Sequence, residues 1–489
     1  MSSATHLQPS APPAPFPLSS AEAEVVTGGR WHGTDQHVEL RGAALDSRAV
    51  TPGCLFACVR GERVDGHDFA AGAAGDGAAL ILATRPLALP IPVLVVADVA
   101  LALQALAALF RSCHHGARWI AVCGANGKTT TKELLASACA GSGEPVHATR
   151  GNLNNHLGVP LTVLNTPADA VFCVIEIGTN APGEVAALTP CVAPHVAVVT
   201  SIGPEHLEGF GDLAGVAREE CSVFAGLADD GVAFLGLHGL AGHTDSAGIA
   251  AIAAVAREAA HGRALTLLDD AGSTTGRADV AVTGRIGELA VRLDTAHGSA
   301  EIGLLGAHNL ANAALAFHAA VAAGVPPAQA LAGLSRATPV AGRLVPRPAG
   351  AHLVLDDTYN ANPASMIAGL HVLAACPGRH LAILGPMGEL GATVAEGHRQ
   401  VGATAKRLGI PLLVVAGRGA LAGFERHLVE GYGAGYGESC TVVADRDAAI
   451  ATARQRLAAG ATTVLVKASR SQALETVVAA LCQQGASAC

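Results

Sequence analysis

Residues 123–136 read CGANGKTTTKELLA, and the residue types in that run suit one task. Gly124 and Gly127 permit backbone angles that bring amide hydrogens close to an anion, with Ala125 and Asn126 as the only residues between them. Lys128 adds a full positive charge, Thr129 a hydroxyl suited to magnesium, and Thr130 continues the turn. A helix starting here also points the positive end of its dipole at the same spot. The run therefore predicts a cradle for the phosphates of ATP. The common phosphate loop has four residues between its glycines, so the two-residue spacing here is a distinct, shorter form.

Other residues could serve the same chemistry. VIEIGTNAPGEV ends an apolar run on Glu176, where a carboxylate is poorly solvated unless it holds a cation; a capping carboxylate at a sheet edge is the competing reading. His206 lies between Glu205 and Glu208 in a glycine-rich stretch after VVTSIG. Asn309 and Asn312 sit three residues apart, on one face of an expected helix that could equally be a core helix capped by its asparagines. Arg343, in the proline- and glycine-rich stretch ATPVAGRLVPRPAG, is placed where a guanidinium could reach across a domain junction to a γ-phosphate. Only four lysines occur, Lys128, Lys132, Lys406 and Lys467, so each is informative. Lys467 and Arg470 in LVKASRS suit an incoming carboxylate or a solvated basic turn.

The elements that must position these residues alternate between strand-like and helical runs. WIAVCG precedes KTTTKELLASACA, VFCVIEIG precedes GEVAALT, and VAVVTSIG precedes a longer helix, which predicts a mostly parallel sheet covered by helices. HLVLDD, HLAILG, LLVVAG and TTVLVKAS form a second series suited to a doubly wound, Rossmann-like sheet. The expected architecture is α/β in three domains, residues 1–112, 113–338 and 339–489, with the first twenty residues or so as a flexible arm around APPAPFPL. No internal repeat is evident.

Composition limits the function classes. A net charge of −9, from 40 acidic and 31 basic residues, disfavours nucleic acid as a partner. Twelve cysteines without a C-x-x-C pair suggest neither a zinc ribbon nor a disulfide framework, and reduced cytoplasmic thiols are expected. Residues 78–110 are apolar, but Arg85, Pro86, Pro90, Pro92 and Asp98 divide them into pieces shorter than the roughly 20 residues of a membrane span, so strand, turn, strand and core helix are expected.

The G-x-x-G-K-T-T spacing resembles the nucleotide loop of the Mur ligases and the folylpolyglutamate synthetases, which use ATP to activate a carboxylate. The resemblance implies that Glu176 binds magnesium together with Thr129, and that His206, in H-L-E-G-F-G, helps hold a second magnesium. It implies that Asn309 and Asn312 lie by the adenine and that Asp357, in VLDDTYNANPASM, meets the ribose. LDSRAVTPGCLF resembles a uridine-diphosphate-binding segment, with Ser47 and Arg48 as contacts, and TRGNLNNHLG a loop meeting the sugar diphosphate and peptide through Asn152, Asn154 and Asn155. Tyr359, Asn360 and Asn362, in Y-N-A-N-P, are expected at the substrate, and with H-L-E-G-F-G they favour the branch that joins D-alanyl-D-alanine to a UDP-N-acetylmuramoyl-tripeptide.

Two departures stand out. Family members usually carry a lysine, converted to a carbamate that assists the metals, at a position that falls here on Glu220, after Arg218 and Glu219. A Glu220 carboxylate, negative without modification, is the expected substitute, an exposed helix residue the alternative. Pro386 also stands where an aspartate is common. The resemblance implies ATP, two magnesium ions, a cytoplasmic enzyme and a monomer. A ligase for an earlier peptide step, a folylpolyglutamate synthetase lacking the uridine segment, and a nucleotide-binding relative without catalysis are the rivals.

Overall fold

The computed structural model describes residues 11–61, 63–270, 279–287, 289–433, 439–458, 460 and 463–483. Its middle is a nine-stranded sheet in the order Gly298–Ile302, Val291–Thr295, Val280–Ile286, Ala264–Asp270, Val232–Gly236, Val196–Val199, Arg118–Cys123, Phe172–Glu176 and Val146–Ala148. Seven strands are parallel, and the pairings among 280–302 are antiparallel. The strand Arg118–Cys123 carries an unbroken apolar run because both its faces are covered. Trp119, Ala121 and Cys123 join the core on one side of the sheet, and Ile120 and Val122 that on the other. Parallel order also gathers the strands' C-terminal ends on one edge, where α/β sheets bind ligands. That edge holds the loop after Cys123, Glu176, and Thr200 with Ser201.

Residues 30–95 form a smaller sheet, in the order Arg30–His32, Val93–Val95, Leu80–Ala83, Leu55–Ala57 and Ala43–Ala44, parallel except for its first strand. The apolar stretch 78–110 resolves into two of these strands and the helix Val99–Cys113, which buries Leu103, Leu106 and Phe110. No helix among the described residues is long and apolar enough to cross a membrane.

The flexible arm expected at the N-terminus is not found over residues 11–19. Phe16–Ser19 is a strand paired antiparallel with His37–Leu40. Ala14, Phe16 and Leu18 are buried while Pro15 and Pro17 face outward, and Phe16 meets the Phe110 ring edge-on at 5.5 Å. Alternate prolines forbid a central strand, which needs every amide, but suit a two-stranded ribbon whose other face is a core. Residues 1–10 lie outside the described ones.

The last sheet runs Val345–Ala349, His352–Asp356, Thr463–Lys467, His380–Leu384, Leu412–Val415 and Cys440–Val443, parallel except at its first strand. Pro346 and Pro348 fall in that edge strand, where a missing donor costs no ladder bond. The longer helix expected after VAVVTSIG is broken into Leu207–Phe210 and Leu213–Cys221. Gly211 at φ +80° ends the first piece, and the Asp212 side chain accepts from the Gly215 amide to start the second.

Candidate active site

The loop between Cys123 and the helix Lys128–Ala140 fits its neighbours with little slack. Gly124 has φ +122° and Gly127 φ +85°. A Cβ on Gly124 would lie 2.3 Å from Thr200 Oγ1, and one on Gly127 2.6 Å from Asn312 Oδ1. The amides of Gly124, Ala125 and Asn126 donate to Glu220 Oε2 at 2.6 Å, the Ser201 carbonyl at 2.9 Å and Ser201 Oγ at 3.0 Å. Thr200 Oγ1 donates to the Asn126 carbonyl at 2.6 Å. The helix then opens at Gly127 without a side-chain cap, so its first-turn amides and dipole face the loop mouth.

Thr129 and Glu176 are in direct contact. Thr129 Oγ1 donates to Glu176 Oε1 at 3.1 Å, and Asn154 Nδ2 donates to the same oxygen at 2.8 Å. The Glu176 amide donates to Thr149 Oγ1 at 2.9 Å, and Lys132, fully buried, donates to the Thr149 carbonyl at 2.7 Å. Glu176 Oε2 is buried with no hydrogen-bond partner. A buried carboxylate oxygen left open beside a threonine hydroxyl is a donor set for a hard cation. Arg343 crosses from the junction before the last sheet, and its Nη2 donates to Thr129 Oγ1 at 3.1 Å.

Lys128 lies against the Gly124 and Ala125 carbonyls. Burial would depress its ammonium, but Glu205, Glu220 and Glu176 outweigh that and hold its pKa above the usual value, so it stays cationic. Glu220 is fully buried, which removes the exposed-helix reading. Burial, with Glu205 adding to it, raises this carboxyl well above the ordinary range, and Lys128 offsets only part. Its Oε2 is engaged by Gly124, and the carboxyl also meets the Glu205 side chain.

His206 adopts the left-handed region at φ +45°, and its ring meets Phe210 edge-on at 6.2 Å. Among the described residues no three His, Cys, Asp or Glu side chains converge as a metal group, and of the residues expected at the two ions Thr129 and Glu176 are in direct contact. Glu208 Oε1 accepts from the Ala392 amide at 2.9 Å, tying this stretch to the last sheet's loops.

The asparagine pair is internal rather than capping. Asn309 donates to the Leu305 carbonyl and Asn312 to Asn309 Oδ1, while the helix Ala307–Ala322 starts at Gly306. Asn312 Oδ1 is buried without a partner and abuts Gly127. Asp357 accepts from the Leu344 amide at 3.3 Å and pairs with Lys467 at 2.8 Å. Lys467 also donates to the Asn360 carbonyl at 2.8 Å and is buried, so the solvated-turn reading fits only Arg470, which is exposed and pairs with Glu475 at 3.4 Å. Pro386 contributes its carbonyl to the Ser469 amide.

The candidate substrate residues divide. Asn362 Nδ2 donates to Asn126 Oδ1 at 2.8 Å, linking the helix Pro363–Ala375 to the phosphate loop, and Tyr359 lies under the Arg343 guanidinium at 4.4 Å. Asn155 Oδ1 accepts from the Leu157 and Gly158 amides at the start of the helix Gly158–Leu164, and Asn152 is exposed. Ser47 and Arg48 lie in a one-turn helix capped by Asp46, with Arg48 Nε 2.9 Å from the Asp46 carboxylate. Thr200 and Ser201, which brace the loop, were missed by sequence reasoning. Their signal was register: Val199 pairs with Cys123, so the residues following both strands share one sheet edge.

Three family descriptions match the chain: Mur ligase family, catalytic domain, over 39–111; Mur ligase middle domain over 122–320; and Mur ligase, glutamate ligase domain, over 342–470. A curated relative from Escherichia coli, named UDP-N-acetylmuramoyl-tripeptide--D-alanyl-D-alanine ligase, is 36% identical over 94% of this chain and 97% of its own. A Bacillus subtilis protein of the same name is 30% identical over 93% of this chain and 96% of its own. A crystal structure of MurF from Acinetobacter baumannii is similar at TM-score 0.82 and 31% identity, covering 96% of this chain and 99% of that one. MurF from Thermotoga maritima in complex with ADP shares the fold at TM-score 0.75 and 24% identity, covering 92% of this chain and 99% of that one. From sheet order to loop spacing, and across nearly its full length, the chain belongs to the Mur ligase family.

Proposed function

We propose that this protein joins D-alanyl-D-alanine to the terminal carboxylate of UDP-N-acetylmuramoyl-tripeptide, with ATP converted to ADP and phosphate. The observation that carries the reading is the 36% identity to a ligase of that name over 94% of the chain. The site supports it, because a phosphate loop, a buried carboxylate and a cross-domain arginine meet at Thr129.

In this reading the first-turn amides of the helix Lys128–Ala140 and the Lys128 ammonium hold the β- and γ-phosphates, and Arg343 meets the γ-phosphate from the opposite side. The tripeptide's carboxylate oxygen attacks the γ-phosphorus and ADP leaves, giving an acyl phosphate. The D-alanyl-D-alanine amine then attacks the acyl carbon, loses a proton, and displaces phosphate through a tetrahedral intermediate. Thr129 and the open oxygen of Glu176 would hold one magnesium ion, which neutralises phosphate charge when bound. A second ion would draw on His206 and on Glu220 Oε1, in place of the family's carbamate. Asn309 and Asn312 back the loop from beneath, on the adenine side; Asp357 serves the ribose, with Lys467 and Arg470 toward the incoming carboxylate. Ser47, Arg48, Asn152, Asn154 and Asn155 line the path of the nucleotide-sugar peptide, and Tyr359, Asn360 and Asn362 complete the junction. Domains at 1–112, 113–338 and 339–489 close over this cleft and exclude water from the acyl phosphate. The enzyme acts as a cytoplasmic monomer.

The test is purified protein with ATP, magnesium, D-alanyl-D-alanine and a panel of UDP-muramoyl peptides, products read by mass. The reading requires a UDP-muramoyl pentapeptide, with phosphate release dependent on both acceptor and dipeptide. Extension of a shorter muramoyl peptide by one amino acid would transfer the chain to an earlier step. ATP binding without substrate-dependent phosphate release would make it a nucleotide-binding relative.

A further inference from the structure

The guanidinium of Arg343 has an unusual set of neighbours for a partly buried charge. No carboxylate lies within ion-pair distance of it among the described residues, and its Nε is buried without a hydrogen-bond partner. One neutral hydrogen bond, to Thr129 Oγ1, engages its tip. The guanidinium also lies over the face of Tyr359, whose ring centroid is 4.4 Å from the guanidinium carbon.

The backbone is built to make that contact. Gly342 at φ +71° and Leu344 at φ +52° place Arg343 on a tight turn, and the Tyr359 amide donates to the Gly342 carbonyl at 3.0 Å. A Cβ on Gly342 would lie 3.0 Å from the Tyr359 nitrogen and 3.3 Å from its Cβ, so a side chain here would crowd the approach of the two segments as well as strain the φ of +71°. The Leu344 amide, bonded to Asp357 Oδ1, fastens the other side of the turn. The arginine turn and the start of the Y-N-A-N-P segment are thus zipped together on both flanks of the guanidinium.

We propose that Tyr359 is a positioning residue that aims Arg343 at the phosphate loop. The choice of an aromatic partner has a physical rationale. A carboxylate would orient the guanidinium but neutralise it, whereas a ring face orients it through quadrupole attraction and dispersion and leaves its full charge for an anion. Tyr359 therefore acts through Arg343, in contrast to the substrate contact that its sequence position suggested. The inference rests on the proposed assignment of Arg343 to the γ-phosphate.

The experiment is steady-state kinetics of ligation by Tyr359→Phe, Tyr359→Leu, Arg343→Ala and the double variant Tyr359→Leu with Arg343→Ala, each checked for an unchanged thermal melt. A positioning role predicts that Tyr359→Phe, which keeps the ring, retains activity within about twofold. Tyr359→Leu should lower kcat roughly tenfold, with KM for D-alanyl-D-alanine and for the UDP-tripeptide unchanged. In the Arg343→Ala background, Tyr359→Leu should cost no more than about twofold, because its target is already gone. Free guanidinium added to Arg343→Ala should restore activity better with Tyr359 present than with leucine. A rise in KM for either substrate in Tyr359→Leu, or an undiminished loss in the Arg343→Ala background, would overturn the inference. Should Arg343→Ala itself ligate at the normal rate, the phosphate assignment of Arg343 fails instead. The positioning contact would then be judged by structure alone, a displaced guanidinium in crystals of Tyr359→Leu supporting it and an unmoved one refuting it.

Discussion

Two loops of this molecule carry candidate ligand contacts, and they are built in opposite ways. The phosphate loop at 124–127 is closely braced: Glu220, Ser201 and Thr200 hold its backbone, Asn312 fills the space against Gly127, and Asn362 reaches in from the start of the helix Pro363–Ala375. The uridine-type loop at 46–48 is an exposed single turn whose charged groups, Asp46 and Arg48, engage each other. Chemistry at a phosphorus atom needs donors fixed before the substrate arrives, because reorganising charges at the moment of reaction is costly. Holding a diphosphate on a nucleotide-sugar handle needs only attraction and fit. On the proposed function, rigidity is thus concentrated at the loop where bonds would be made and broken.

The contrast makes graded predictions. Glu176→Gln should have the largest effect, lowering ligation by on the order of 100-fold or more, since it removes charge at the expected cation and phosphate position. Ligation assays over a magnesium titration check it, and near-normal activity would detach Glu176 from the site. Gly127→Ala should come next, through stability as well as activity. It forces a side chain into φ +85° and against Asn312 Oδ1, at a cost of about 2 kcal/mol, seen as a lowered melting temperature. Adding Asn312→Ala should recover part of the loss by removing the clash but not the backbone strain.

Arg48→Ala should behave differently. It should leave the melting temperature unchanged and raise KM for the UDP-linked substrate roughly tenfold, with KM for ATP unaffected. If it lowered kcat as the phosphate-loop variants do, the division between rigid and compliant loops would fail.

A last prediction concerns acid stability beside the strand Phe172–Glu176 rather than activity. His147, buried next to the strand Phe172–Glu176, donates from Nε2 to the Thr162 carbonyl, and burial pushes its pKa down to about 4. The folded protein then binds fewer protons than the unfolded chain between about pH 4 and the ordinary histidine value of 6.5, so stability is full above that window and is lost as pH falls through it. The loss approaches on the order of 3 kcal/mol at the acid end. His147→Gln should flatten this part of the stability curve in denaturant titrations at pH 4–7, and an unchanged slope would remove His147 as its source.

Much of the braced region was legible in the sequence because its signals are local. WIAVCG followed by GANGKTTTKELLA specifies a strand, a glycine turn and a helix, and the helix spans Lys128–Ala140. Glu176 was legible for a related reason, as a carboxylate at the end of an apolar strand. What brings Thr200 and Asn362 to the loop, and Tyr359 to Arg343, is strand order and the packing of distant segments, which no local pattern encodes. The N-terminal strand was hidden by its prolines, which read as a coil until a partner at His37–Leu40 and a core around Phe110 are supplied. The strands between Val280 and Ile302 escaped because SAEIG and VAVTGRI alternate weakly and lie beside a glycine-rich stretch. Glu220 was singled out by the absence of lysine, but its burial and its bond to Gly124 depend on how the helix Leu213–Cys221 docks.

The central claim is that the group held at the phosphate loop passes to an oxygen of the tripeptide's own carboxylate. UDP-N-acetylmuramoyl-tripeptide labelled with oxygen-18 in its terminal carboxyl, turned over with ATP and D-alanyl-D-alanine, tests this directly by mass analysis of the released phosphate. The account predicts one oxygen-18 atom in each phosphate formed from doubly labelled carboxyl. Unlabelled phosphate accompanying pentapeptide product would contradict it.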